Sequence, residues 1–136
     1  MSRVIDRIIR HEGFGAKPYQ DHLGNWTFGN GLTFITKEES LYVVTGRVHD
    51  FIERLHAEHE WLAQAPNVVV EVVVEMCFQM GWDGCHDFVK MWAALEAENY
   101  SEAAAEMLDS EWVKQTPDRA KELAAFIRTL DESSNT

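Results

Sequence analysis

A chain of 136 residues that is 46% hydrophobic, with five tryptophans and seven phenylalanines, is long enough for one compact domain and apolar enough to give it a core. That excludes disorder throughout. The formal charge of −11 also excludes a surface built to hold a phosphate backbone by counterion release, so nucleic acid is not an expected partner.

The charge is uneven: Arg3, Arg7, Arg10 and Lys17 against Asp6 and Glu12 leave residues 1–17 at +2 and the remainder at −13. VIDRIIRHE is interrupted by charge at every turn, and no window offers 18 uncharged apolar residues, so neither an export signal nor a membrane span is expected. Cys77 falls in an apolar run and Cys85 in a glycine-rich turn, a usage that reads as two reduced thiols, with a strained local bridge as the alternative.

Residues 3–12 place Val4, Ile5, Ile8 and Ile9 on one helical face with arginines on the other, and Gly13 is positioned to end that helix. Glu12 is then expected at a helix C-terminus. Gly13, Gly15, Pro18, Gly24, Gly29 and Gly31 forbid a long helix beyond it, so PYQD and NWTF read as short strands joined by HLG. Thr36 with Glu39 makes a capping box, which opens a mostly helical span to about Ala63 with Gly46 as a kink or break.

APNVVVEVVVEMCFQMG is ambiguous, because its six valines favour strand by propensity. Its length, Glu71 and Glu75 four apart, and Pro66 with Asn67 at its start favour a buried helix. GWDG reads as a turn. Phe88, Met91, Trp92 and Leu95 then form a helix face, Ser101 an N-cap, and Thr116 with Pro117 the start of a last helix whose Leu123, Phe126, Ile127 and Leu130 turn inward. DESSNT is expected to fray.

The fold class expected is therefore α+β: mostly helical, with a small antiparallel β-hairpin after the first helix. One domain is expected over 1–136, with a β-containing lobe at 13–35 and a helical lobe at 67–130.

Glycosidic cleavage commonly uses one carboxylic acid to protonate the leaving oxygen and a second carboxylate to activate water or attack carbon. Glu12 closing a helix, Asp21 on a strand edge and Thr27 across the HLG turn supply an acid, a base and a hydroxyl. A solvated pair in a turn-rich region is the plain alternative in a chain with 23 acidic residues.

Glu12-Gly13, then Tyr19-Gln20-Asp21, then Gly24-Asn25-Trp26-Thr27-Phe28-Gly29-Asn30-Gly31 resembles the signature of the phage-type lysozymes, the muramidases of glycoside hydrolase family 24. That family's segment is a helix ending in Glu-Gly, then Tyr-x-Asp, then Gly-x-x-Thr-x-Gly-x-Gly. FQMG at Phe78–Gly81 resembles the end of the family's buried central helix, and WVKQTPDRA at Trp112–Ala120 the turn into its late helix.

The resemblance implies a lysozyme-like fold and hydrolysis of the β-1,4 bond between N-acetylmuramic acid and N-acetylglucosamine in bacterial peptidoglycan, with inversion. It implies Glu12 as general acid, with Asp21 and Thr27 positioning and activating water. Tyr19, Gly31, Phe78 and Gln79 become substrate-binding residues and Arg119 a support for Glu12. Inversion predicts a carboxylate separation of roughly 6.5 to 9.5 Å.

No cofactor, metal or stable membrane association is implied. A monomer is expected in the host bacterial cytoplasm, reaching the wall through a lesion made by a separate membrane-permeabilising protein, with virion association as the other route. A catalytically silent wall-binding or virion structural relative is the alternative, and a lytic transglycosylase the nearest enzymatic one. Leu32 stands where close members carry histidine, the stretch from Leu32 to Phe78 is short for that branch, and the acidic balance works against encounter with an anionic wall.

Histidines 11, 22, 49, 56, 59 and 86 match no zinc-hydrolase motif, and GNGLTF lacks the lysine of a phosphate loop. Trp26 and Tyr19 are placed to line a sugar site, whereas Trp61, Trp82, Trp92 and Trp112 read as packing residues.

Overall fold

The structure is a computed structural model and describes residues 2–134. It divides into two compact units, Met1–Val44 and Thr45–Thr136.

In the first unit, helix α1 (Ser2–Glu12) ends where the alternation of apolar and basic residues meets Gly13. Gly13 takes φ +69° and donates its N–H to the Ile9 carbonyl at 3.0 Å, a left-handed cap that a residue with a side chain would adopt only under strain. The expected hairpin follows: β1 (Gly15–Gln20) pairs antiparallel with β2 (Trp26–Gly29), with Gly15 opposite Gly29, Tyr19 opposite Thr27 and Gln20 opposite Trp26. The register shifts between Gly15 and Tyr19, where Pro18 has no N–H to give the ladder.

Phe28 and Leu32 exchange backbone hydrogen bonds at 2.7 and 2.9 Å, which curls the chain after β2 into a second tight reversal. The capping box forms as expected, with the Thr36 N–H donating to Glu39 Oε1 at 3.0 Å and the Glu39 N–H to Thr36 Oγ1 at 3.1 Å. These bonds, the Thr36 backbone one foremost, hold the Glu39 carboxyl below its ordinary pKa. They start α2 (Lys37–Glu58), which runs unbroken through Gly46 and crosses the boundary between the units.

The second unit holds the core. A 3₁₀ turn (Glu60–Ala63) leads to α3 (Asn67–His86), so the valine-rich segment is a helix despite its strand propensity. Val69, Val72, Val73, Val74, Met76 and Cys77 are all buried; a helix apolar on nearly every side survives because other helices surround it. The expected GWDG turn is not a separate turn. Gly81 alone leaves helical geometry, at φ 84° and ψ 166°, and α3 resumes beyond it, which places Cys85 in a buried helix rather than in a loop.

Helices α4 (Val89–Glu96), α5 (Tyr100–Leu108), α6 (Glu111–Gln115) and α7 (Pro117–Ser134) complete the unit. Met91, Trp92 and Leu95 are buried on α4 as the spacing predicts. The most extensive packing is between α5 and α7, where Ala103, Ala104, Ala120 and Ala124 are fully buried and let the two backbones approach closely. Leu123 and Ile127 turn inward and Leu130 is half-buried, but Phe126 is exposed.

Two expectations about helix ends are corrected together. Ser101 lies inside α5 rather than capping it: its N–H and its Oγ both donate to Asp131 Oδ2, each at 2.6 Å. The cap of α5 thus comes from α7, and that tie sits where fraying was expected, with Asp131 to Ser134 helical and Asn135 and Thr136 outside the described residues. Asp131→Ala is expected to lower stability by about 1 kcal/mol, the usual cost of removing an N-terminal acceptor, as a reduced urea midpoint at unchanged slope.

Candidate active site

The sequence-predicted residues of the first unit gather around the hairpin. Glu12 is the last residue of α1, and Gly31 lies directly against its side chain: a Cβ built on Gly31 would sit 2.5 Å from Glu12 Oε2 and 2.7 Å from Cδ. Gly31 also takes φ +79°, so both its backbone and its missing side chain suit it to seating that carboxyl group. Asn30 holds the loop to the helix end by donating from Nδ2 to the Gly13 carbonyl. The sequence reading missed Asn30, although its place between two glycines beside the acid was a visible signal.

Asp21 sits at the other end of the hairpin, in its tight turn. Its Oδ1 accepts from the Asn25 N–H at 2.8 Å and the Leu23 N–H at 2.9 Å, while its own N–H donates to the Asn25 carbonyl at 2.8 Å. An aspartate that folds its carboxylate back onto the following amides in this way stabilises the turn and fixes its own direction. The Asn25 N–H bond is the largest cause holding the Asp21 carboxyl below its ordinary pKa of 3.8, with the Leu23 N–H and His22 acting in the same direction.

Because the folded value is lowered, the stabilisation this carboxylate provides is complete above 3.8 and is lost as pH falls through that lower value. Side-chain carboxyl NMR is expected to show Asp21 titrating below 3.8, with the Asn25 and Leu23 amide shifts following the same midpoint.

Thr27, only 4% exposed, is the buried polar side chain among the described residues. Its Oγ1 donates to the Asn25 carbonyl at 3.2 Å. Asp21 and Thr27 are therefore tied to opposite ends of one residue's peptide groups, a role for Asn25 that its position in the Gly-x-x-Thr spacing did not reveal. Tyr19, opposite Thr27 in the register, packs its ring over Gly15, and Trp26 beside it is exposed.

Comparison with known proteins decides the lineage: residues 9–129 match the phage lysozyme family profile, a span that contains the whole of this site. The chain belongs to the phage lysozyme family. Among curated proteins it is similar to "Probable T4-type lysozyme 1" of Dictyostelium discoideum, 33% identical over 63 residues, which are 46% of this chain and 37% of that protein. The match thus spans well under half the length of that relative.

Two residues assigned through the family resemblance lie in the helical unit and have partners there. Arg119 Nε donates to Glu75 Oε2 at 2.7 Å, an ion pair joining α7 to α3. Glu75 was read only as part of a helical spacing. Gln79 is clamped from both ends of its amide: Oε1 accepts from Trp112 Nε1 at 3.0 Å, and Nε2 donates to Thr116 Oγ1 at 3.3 Å.

That clamp joins the family-like FQMG and WVKQTPDRA segments through side chains rather than backbone. Beside it Phe78 is 38% exposed, an apolar surface on the same helix. Leu32, at the position where the resemblance expects histidine, is occupied in the backbone exchange with Phe28 and reaches to 3.6 Å of a Cβ built on Gly29. A histidine's absence there leaves the turn itself intact.

Proposed function

We propose that this chain hydrolyses the β-1,4 glycosidic bond between N-acetylmuramic acid and N-acetylglucosamine in bacterial peptidoglycan, with inversion at carbon 1. The observation that carries the reading is the arrangement in the hairpin: a carboxyl seated on Gly31, and a second carboxylate and a hydroxyl both fastened to Asn25. Membership of the phage lysozyme family supports the reaction class.

Glu12 delivers a proton to the glycosidic oxygen as its bond to carbon 1 breaks. Asp21, kept ionised by the Asn25 and Leu23 amides, accepts a proton from a water held also by Thr27, and that water attacks carbon 1 from the opposite face. One proton enters the leaving group and one leaves the water, so each turnover exchanges the two carboxyls' states and solvent restores them. Tyr19, Phe78 and Gln79 serve as saccharide contacts in this proposal, and Arg119 as a structural support through Glu75.

Polysaccharide supplies no cation of its own to meet the net charge of −11, so binding rests on ring stacking and hydrogen bonds rather than on long-range attraction. No helix among the described residues is long and apolar enough to cross a membrane. Production in the host bacterial cytoplasm, with access to the wall through a separate membrane-permeabilising protein, is part of the same proposal.

The test is product analysis on purified peptidoglycan. The expected products carry reducing ends whose first-formed anomer is α, read by NMR before mutarotation. Ends of the 1,6-anhydro type would replace hydrolysis by transglycosylation, and binding to walls with no new ends would replace catalysis by a wall-binding role.

A further inference from the structure

The kink in α3 brings together side chains that the hairpin chemistry does not use. Residues eight apart on a straight α-helix are separated by about 12 Å along its axis. Cys77 and Cys85 are such a pair, but Gly81 between them leaves the helix at φ 84°. Both sulfurs and a ring nitrogen of His86 consequently lie within 4.8 Å of one another, the group of this kind among the described residues. Both cysteines are fully buried.

His86 is held in one tautomer. Its Nδ1 lies 2.8 Å from the Trp82 carbonyl, which can only accept, so Nδ1 carries the proton and Nε2 keeps a lone pair. A histidine whose other nitrogen donates to a carbonyl is oriented as metal-ligating histidines commonly are. The ring is also stacked between aromatic planes, 4.2 Å from Trp82 and 4.7 Å from Trp92 by centroid, so it has little freedom to turn away. Trp92 in turn donates from Nε1 to the Cys85 carbonyl at 3.0 Å, pinning the backbone that carries both ligands.

We propose that Cys77, Cys85 and His86 bind one zinc ion, with His59 as the fourth ligand. Two thiolates and two imidazoles make a donor set suited to tetrahedral zinc. His59 Nε2 lies 2.8 Å from His86 Nε2 but stands outside the group of ligand atoms within 4.8 Å of one another, so its ring must move toward the sulfurs as the two nitrogens part to the about 3.4 Å of a shared tetrahedral zinc. His59 follows the end of α2, and His86 closes α3, so the ion clips α2 to both arms of the kinked helix. Binding releases two thiol protons and strengthens as pH rises. None of these ligands is placed in the hairpin chemistry, and the proposal stands apart from the glycosidase reading.

The test uses the full reduced chain under anaerobic conditions, titrated first with cobalt(II) and then with zinc(II). The expected result is saturation at one equivalent, with sulfur-to-cobalt charge-transfer absorption and the strong ligand-field bands of a tetrahedral site, both bleached by zinc. A thermal midpoint raised by several degrees with zinc is expected alongside. Cys77→Ser and Cys85→Ser should each weaken the charge-transfer band, and the double serine variant should abolish it.

Should either serine variant fold poorly, His86→Gln keeps both thiols and should weaken affinity at least about tenfold, whereas His49→Gln and His56→Gln, on α2 outside the group, should leave it unchanged. No charge-transfer band at one equivalent overturns the proposal, as does a band of undiminished intensity in the double serine variant. So does loss of both thiols to a disulfide at a rate that excess zinc does not slow.

Discussion

Glu12→Gln is expected to cut the rate of wall hydrolysis at least about 100-fold, the order lost when a general acid is removed. Glutamine keeps the shape that packs on Gly31 but has no proton to give a leaving alkoxide. Stability should not fall with it. Glu12 is exposed at the C-terminal end of α1, where the helix dipole disfavours negative charge, so neutralising it is worth a few tenths of a kcal/mol in the stabilising direction. Turbidity loss and thermal midpoint measured on the same preparations separate the two effects. Full activity in the variant removes Glu12 from the mechanism.

Gly31→Ala should reproduce much of that loss without touching a reacting group. The added methyl would meet Glu12 Oε2 at 2.5 Å, and carboxyl, loop or both must move. A displacement of about an ångström in a proton donor costs on the order of 100-fold. Alanine at φ +79° also strains the backbone by about 1–2 kcal/mol.

Gly24→Ala is the control, because φ there is +83° and nothing lies within 4 Å of the added methyl. Both variants should lose similar stability, but the larger loss in kcat belongs to Gly31→Ala. Equal kcat in the two would mean that the contact with Glu12 has no part in turnover.

These two predictions rest on different levels of the chain. The acid's place at a helix end was readable from residues 3–13, since a four-residue apolar stripe followed by glycine specifies where the helix stops by local geometry. The hairpin was readable for the same reason: glycines and an aspartate at a turn act on their nearest neighbours in sequence. Even the valine-rich α3 could be assigned, once its length was weighed against its propensity. By contrast, the seating of Glu12 on Gly31 joins residues nineteen positions apart and depends on how the loop folds back, which no local rule encodes.

The same division explains the corrections. Ser101 looked like a cap because capping is read from the first turn of one helix, while its acceptor, Asp131, arrives from a helix thirty residues later. Arg119 pairs with Glu75 of the neighbouring α3, 44 positions away in sequence, a partner that no local pattern around Arg119 names. Cys85 reads as part of a glycine-rich turn because two glycines in four residues weaken a helix, but burial of the surrounding side chains outweighs about 1 kcal/mol per glycine.

The order of helices and hairpin, the capping box and the spacing of Glu12, Asp21 and Thr27 were determined by the sequence alone, because propensity, periodicity and turn chemistry act over a few residues. Tertiary structure decided which side chains meet: Gly31 under Glu12, Glu75 on Arg119, Gln79 between Trp112 and Thr116, and two cysteines with His86 across the break at Gly81. Such meetings depend on loop closure and on the packing of distant faces, whose free energy is shared by the whole core.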